Sequence, residues 1–384
     1  MIPYSTQSID ATDYDAVLET LSSPYLTCGP KVSEFEDEIC MRTGACFAVA
    51  CNSCTSALHL AMMALGIHAG DLVYVSAISF AASANCVRMC GADVEFVDID
   101  PDTANIDCDA LELLLINAQK QGRLPKALVA VDMAGRRCDF KRIKALSQQY
   151  GFRIVEDAAH ALGASYMGDK TGSGLYADIT CLSFHPVKII TTCEGGMALT
   201  NDEKLYTSLR ELCSHGITHD QNKLLDHSHE AFYYEMQELG FNYRLSDLHA
   251  ALGISQLSRL EIFVEMRQKK ARKYFELLKD VKNLKLPTPD TPDSMSAWHL
   301  YQVRIGKGER DHIYRQLRDI DIGVQVHYLP IYRHPYYQRL HNYAPLKGAE
   351  EFFNETLSIP LFPTLSNIKQ EMVAAKLISL VEKL

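Results

Sequence analysis

The sequence predicts an α/β protein: a mostly parallel sheet in a large domain, followed by a small C-terminal α+β domain. Three observations carry this reading. Short apolar runs alternate with helical patterns over the first 215 residues, the β-α-β rhythm of a parallel sheet covered by helices on both faces. A Pro-rich stretch, Leu286-Pro-Thr-Pro-Asp-Thr-Pro292, reads as a linker before a shorter pattern of mixed strands and helices. The length of 384 residues, with 47% hydrophobic and 22% charged side chains, suits two or more domains with ample core and excludes a disulfide-dependent miniprotein or a disordered chain.

Taken in order, the runs Phe47–Ala50, Leu72–Val75, Val94–Asp98, Leu128–Asp132, Arg153–Glu156, Ile179–Phe184 and Met197–Thr200 read as strands. Helical spacing falls between them near 55–65, 82–90, 108–120, 140–150 and 203–213. A long helical pattern then runs from about Ser246 to Leu278, with Leu248, Leu252, Ile254, Leu257, Leu260 and Phe263 as its apolar positions. Beyond the linker come a strand over Leu300–Ile305, a helix over Arg310–Asp319, a strand over Val324–Tyr328 and helices near 349–355 and 368–383. The expected division is a large domain over 1–245, then a linking long helix and a small domain over 246–384.

Charge and cysteine usage narrow the function classes. The net charge is −10, no Lys or Arg precedes Lys31, and no basic run occurs, so nucleic acid is not an expected partner. No apolar stretch approaches the roughly 20 residues needed to span a bilayer, so the expectation is a soluble cytoplasmic protein without a membrane partner. The twelve cysteines all lie between Cys28 and Cys213, most of them inside apolar runs, which suits reduced thiols packed as small hydrophobes. Cys51-Asn-Ser-Cys54 has no second pair at zinc-ribbon spacing, and His215, His219, His227 and His229 lie in a polar segment without a helical face, so no metal is expected.

Two glycine motifs lack their chemistry. Gly172-Ser-Gly174 with Ala177 fits a dinucleotide fingerprint only formally, because it precedes a strand rather than opening a helix. Gly163 to Thr171 has Asp169 where a phosphate loop needs Lys. The informative residues are instead spread over strand ends. Asp157 and His160 follow the buried run Ile154-Val-Glu, at the sheet edge where open α/β proteins bind ligands. Ser183 and Lys188 end the next strand, ahead of Glu194-Gly195-Gly196.

Pyridoxal phosphate (PLP) chemistry needs this set. A lysine amine holds the cofactor covalently, a carboxylate keeps its ring nitrogen protonated, and a helix N-terminus with hydroxyls receives its phosphate. Asn52-Ser-Cys-Thr-Ser-Ala57 lies between a strand and a helix, and Phe80 offers an aromatic face for the ring or, equally, ordinary core packing.

With these residues in place the chain resembles the DegT/DnrJ/EryC1/StrS family of PLP-dependent sugar aminotransferases. The matching motifs are Leu26-Thr-Cys-Gly-Pro30, Asn52-Ser-Cys-Thr-Ser-Ala-Leu58, Gly70-Asp71, Asp98-Ile-Asp100, Glu156-Asp-Ala-Ala-His-Ala161, Ser183-Phe-His-Pro-Val-Lys188, Glu194-Gly-Gly196 and Gly240-Phe-Asn-Tyr-Arg-Leu245. The resemblance implies the type I aminotransferase fold, with Lys188 holding the cofactor, Asp157 at the pyridine nitrogen and His160 near the ring hydroxyl. It implies Cys54, Thr55 and Ser183 at the phosphate, with Asn242 reaching it from the partner subunit of a homodimer whose active sites are shared. Tyr4, Pro24, Tyr25, Leu26, Thr27, Gln325, Val326, His327 and Tyr328 would approach a nucleotide sugar.

Cys54 departs from the glycine that many members carry there. A thiol is tolerated if the backbone has negative φ and not if it needs φ > 0. Segments around Ser183, Gln325 and Ala344 are most similar to members that aminate C4 of a UDP-linked 4-keto-6-deoxy-N-acetylhexosamine, with L-glutamate as the implied amino donor. Other readings are a transaminase for another 4-keto or 3-keto sugar nucleotide, a sugar dehydratase, whose relatives lack the lysine, and a non-catalytic regulator.

Overall fold

The computed structural model describes residues 1–226, 232–306 and 308–384; His227 and His229 therefore lie outside the described residues. Seven strands form the central sheet: β1 (Phe47–Cys51), β2 (Leu72–Ser76), β3 (Asp93–Val97), β4 (Ala127–Val131), β5 (Arg153–Asp157), β6 (Ile179–Ser183) and β7 (Gly196–Thr200). Their spatial order is β1-β7-β6-β5-β4-β2-β3. All run parallel except β7, which is antiparallel to both of its neighbours.

The seven expected strands are thus present. Alternation along them divides the core: Val73 and Val75 face one apolar cluster while Tyr74 faces another. The first cluster includes residues of α3 (Cys54–Ala64), α4 (Ala82–Met89) and α7 (Glu203–Cys213). The second includes α5 (Cys108–Lys120) and α6 (Phe140–Tyr150).

Two N-terminal helices escaped the sequence reading. They are α1 (Ala11–Leu21) and α2 (Pro30–Thr43). Their start signals are local: Asp10 and Asp13 form a reciprocal capping box on α1, and Pro30 opens α2 after Gly29. The expected helix over 246–278 is two helices, α8 (Asp247–Leu257) and α9 (Leu260–Leu278). The chain breaks at Arg259, whose guanidinium turns back to pair with Asp10 and Asp13 of the α1 capping box. Leu257 and Leu260 are both buried, so the apolar period continues across the break and conceals it. α8 packs against α1 and α2, while α9 continues toward the C-terminal sheet.

That sheet has three strands: β8 (Leu284–Lys285), β9 (Tyr301–Ile305) and β10 (Thr356–Ile359), paired antiparallel in that order. α10 (Arg310–Asp319), α11 (Pro335–Leu340), α12 (Lys347–Glu355) and α13 (Asn367–Val381) complete the chain. The strand expected over Val324–Tyr328 is not formed. β10 occupies the edge of β9, and residue Gln325 makes only an isolated bridge to Ser358. Val324 is buried, so an apolar run that packs without a ladder was read as a strand.

Beneath the sheet edge lies a buried acidic cluster. The Arg137 guanidinium pairs with Glu156 at 2.9 Å and with Asp169 at 3.0 Å, and Thr180 donates to Glu156 at 2.6 Å. Asp132 is buried beside them, and desolvation followed by the Glu156 charge raises its carboxyl well above the usual range. Arg137 is the cation that makes this burial tolerable, because breaking a buried pair typically costs about 3–5 kcal/mol. Arg137→Ala is therefore expected to lose stability of about that size, measured as a lowered urea midpoint with an unchanged slope. A loss within about 0.5 kcal/mol, the range of ordinary surface substitutions, would contradict this role.

Candidate active site

At the carboxyl ends of the parallel strands lies a cavity of about 340 Å³. It collects side chains from at least six places in the chain: Tyr4, the β1–α3 turn, the 79–83 segment, the end of β5, the end of β6 with the loop after it, and His327 with Tyr328. The β1–α3 turn ends in an N-cap, Ser53, whose hydroxyl accepts from the Ser56 N–H at 3.1 Å. Cys54 and Thr55 form the first turn of α3, where backbone N–H groups have no intrahelical acceptor. Cys54 has no positive φ, which explains why a thiol can stand there.

Gly196 fits against this turn so closely that an added Cβ would meet Cys54 N at 2.4 Å. Gly196 is thus a packing requirement of the turn, beyond being part of a bend before β7, while a Cβ on Gly195 would instead run into the Thr192 hydroxyl.

Asp157 ends β5 and is buried. Its Oδ2 accepts from Ser83 at 2.6 Å and its Oδ1 from the Ala159 N–H at 3.2 Å. Burial raises its carboxyl; the Ser83 and Ala159 hydrogen bonds and the Lys188 charge oppose that. Lys188 reaches the same cavity from the loop after β6, and desolvation pushes its amine down to about 8, against the opposing effects of Cys54 and Asp157.

His160 lies beneath, its Nδ1 accepting from the Ala134 N–H at 3.3 Å and its Nε2 facing the Tyr328 hydroxyl at 3.4 Å. His299 packs on it with ring centroids 4.3 Å apart. Desolvation, and then neighbouring positive charge, hold both imidazoles well below the usual histidine range. His327 is pushed down to about 3 by burial and then by Lys188; its Nδ1 meets Ser358 at 2.8 Å and its ring lies 5.2 Å from that of Tyr4.

The fold therefore brings Tyr4, Cys54, Thr55, Phe80, Asp157, His160, Ser183, Lys188, His327 and Tyr328 together around one cavity. Phe80 is 61% exposed rather than a core residue, which removes the packing alternative. Pro24, Tyr25, Leu26, Thr27, Asn242, Gln325 and Val326 do not line the cavity. Gln325 is exposed and Val326 leans on the C-terminal core.

Asn242 is exposed too, but its segment is not remote, although nothing in the sequence links it to residues 53–55. The Asn52 N–H donates to Tyr243 O at 2.7 Å, and Cys51 bridges Arg244 in the same chain. Sequence reasoning also assigned no role to Ser79, Ser83, His185 and Glu194 at the cavity; His185 and Glu194 lie inside the quoted motifs, while Ser79 and Ser83 carry no motif. Among the described residues no group of three or more metal-ligating side chains converges, and no helix is long and apolar enough to cross a membrane.

The cavity fits PLP by its donor set: a desolvated amine, a buried carboxylate with hydrogen-bonded oxygens, an open helix start and an exposed aromatic face. Comparison with known proteins agrees. The DegT/DnrJ/EryC1/StrS aminotransferase family model matches residues 7–378. A Campylobacter jejuni protein named UDP-4-amino-4,6-dideoxy-N-acetyl-beta-L-altrosamine transaminase is 38% identical over 100% of this chain and 98% of its own length. The Bacillus subtilis spore coat polysaccharide biosynthesis protein SpsC is 37% identical over 95% of this chain and 93% of its own. Among solved structures, Helicobacter pylori PseC, an aminotransferase involved in the biosynthesis of pseudoaminic acid, superposes with TM-score 0.91 and 32% identity, covering 100% of both chains. The chain belongs to the DegT/DnrJ/EryC1/StrS aminotransferase family and has its aminotransferase fold.

Proposed function

We propose that the protein is a PLP-dependent transaminase that moves an amino group from L-glutamate to C4 of a UDP-linked 4-keto-6-deoxy-N-acetylhexosamine. The product would be UDP-4-amino-4,6-dideoxy-N-acetyl-β-L-altrosamine, a step of pseudaminic acid biosynthesis in the cytoplasm. The observation that carries the reaction type is the desolvated amine of half-buried Lys188 sharing one cavity with Asp157 at the sheet's carboxyl edge. The whole-length similarity to the Campylobacter jejuni transaminase supports the choice of sugar.

When bound, PLP supplies an electrophilic carbon, an electron sink and a temporary store for the amino group. Lys188 would hold it and, once displaced by the amino donor, carry the proton from the donor Cα, a task suited to an amine whose neutral form is populated near neutral pH. Asp157 would hold a proton on the pyridine nitrogen. Neutral His160 and Tyr328 would help to hold the ring, and the first turn of α3 with Ser183 would bind the phosphate. Tyr4 and His327 would face the sugar, and Asn242 with residues 24–27 would serve the partner subunit's site.

Lys188→Ala is expected to abolish turnover with the fold intact, and mass spectrometry after borohydride reduction should find the pyridoxyl adduct of the parent protein on Lys188. Because the neutral amine is the nucleophile, covalent capture of PLP by the cofactor-free protein should speed up as pH rises through about 8. An adduct on another lysine would overturn the assignment. A panel of UDP- and dTDP-linked 4-keto sugars tests the substrate, with the UDP-N-acetyl sugar expected to be favoured.

Asp157→Asn should lose turnover by roughly two orders of magnitude or more, the size typical of a group that holds a proton in the transition state, and should also hold PLP less tightly. Folding stability should change far less. Near-parental turnover would reject the role.

For the shared site, Lys188→Ala and Asn242→Ala subunits, each weak alone, should regain activity as a mixed dimer holding one intact composite site. With Asn242→Ala itself impaired, no recovery in a verified mixed dimer would mean that each site is built within one chain.

A further inference from the structure

Asp157 has a support that neither its motif nor its family resemblance names. Ser83, on the first turn of α4, is 1% exposed and its Oγ lies 2.6 Å from Asp157 Oδ2. Ser79, four residues earlier and 4% exposed, lies 2.6 Å from the same Ser83 Oγ. A serine hydroxyl has one proton. Ser83 spends that proton on the carboxylate, so Ser79 must donate to Ser83, and the two hydroxyls form a directed chain ending on Asp157. Hydrogen bonds in series polarise one another, and in a desolvated site they favour the charged acceptor.

On the other oxygen, the Ala159 N–H fixes Oδ1 at 3.2 Å. A carboxylate offers about four acceptor positions. With one taken on each oxygen, acceptor positions remain on a carboxylate that lines the cavity.

We infer that Ser83, oriented by Ser79, is a positioning residue that keeps Asp157 ionised and turns its free edge toward the ligand. This rests on the reading of Asp157 as the partner of the pyridine nitrogen. Burial works against an ionised Asp157, and the Ser83 hydrogen bond is the largest influence opposing it. The other groups that face or surround Asp157 are Lys188 from the loop after β6, the Cys54 and Cys86 thiols from α3 and α4, Cys181 from β6, and Tyr328. Of these only Lys188 can be cationic, and its amine is the group the cofactor would consume. The hydroxyl chain, with the weaker help of the Ala159 N–H, is then what this chain's own groups retain to stabilise the charge in the loaded protein.

The test measures PLP affinity of the cofactor-free protein as a function of pH, together with turnover. An ionised Asp157 is needed to hold the protonated ring nitrogen, so affinity should fall as pH drops through the Asp157 titration. Ser83→Ala removes a donor to the charged form and should move that acid limb upward by about one pH unit, a roughly tenfold change in proton affinity. Ser79→Ala, which only releases the Ser83 hydroxyl, should move it the same way by less and provides a second variant should Ser83→Ala fold poorly.

In an Asp157→Asn background, Ser83→Ala should produce no further loss. An acid limb left in place by both serine variants would overturn the inference, as would an equal loss with and without Asp157. If Asp157→Asn alone leaves affinity and rate unchanged, the reading of Asp157 itself fails. If it is damaging while the serine variants are silent, only the hydroxyl chain fails.

Discussion

One buried guanidinium holds the two sides of the cleft in register. Arg267, on α9, is 1% exposed, and no carboxylate forms an ion pair with it among the described residues. It spends its donors on carbonyls instead: Trp298 at 3.4 Å, His299 at 3.3 Å and Leu361 at 3.2 Å from one nitrogen, and Lys188 at 3.4 Å from another. These acceptors come from the lysine loop on one side and from the two segments around the C-terminal sheet on the other. A charge buried without a counterion is costly unless its hydrogen bonds are met, and desolvation indeed pushes Arg267 down to about 10. Its two terminal nitrogens find acceptors only when the lysine loop, residues 298–299 and residue 361 stand in their observed places, and its Nε is buried with no partner, which makes the geometry of the cleft a condition of burying Arg267.

The same desolvation sets the chemistry above it. Lys188 lies at about 8, while His160, His299 and His327 are held in their neutral forms, so the cavity is poor in fixed positive charge. The thiols of Cys54, Cys86 and Cys181 are pushed up by burial and remain uncharged. Asp157 is the exception, a carboxylate braced by two donors among neutral neighbours. Burial disfavours charge on both Lys188 and Asp157, yet only Asp157 has hydrogen bonds to offset it. That asymmetry favours the neutral form of the amine while supporting the charged form of the carboxyl within a single cavity.

Much of this was legible before the structure because strand ends are where an open α/β sheet exposes chemistry. Asp157 and Lys188 each follow a run apolar enough to be buried, so their placement followed from topology. The hydroxyls of Ser79 and Ser83 were not legible, since a serine near a helix start is ordinary and its partner is 74 residues away. The break at Arg259 was hidden by uninterrupted apolar periodicity. The unformed strand at Val324–Tyr328 was misread because burial alone does not choose between a ladder and a packed coil. Short-range patterns register what a residue buries and stay silent about which distant group it will meet.

The residues left outside the cavity follow a pattern of their own. Thr27 bridges Ser246, the Asp247 N–H donates to Leu26 O at 3.1 Å, and the Asp247 carboxylate caps α2 through the N–H groups of Gly29 and Lys31 at 2.8 and 2.9 Å. Residues 24–27 and 242–247 are therefore one structural unit, although more than two hundred residues separate them in sequence. Tyr25 and Leu26 are 55% and 45% exposed on it, and Asn242 is exposed at the other end. A rigid unit carrying both sets of ligand-contacting candidates, yet contributing neither to its own chain's cavity, is what an isologous pair of subunits would use. If residues 24–27 and Asn242 both served a partner subunit, one two-fold axis would deliver them together, because the Asp247 cap ties residues 26–31 to the 246–247 turn within a single chain.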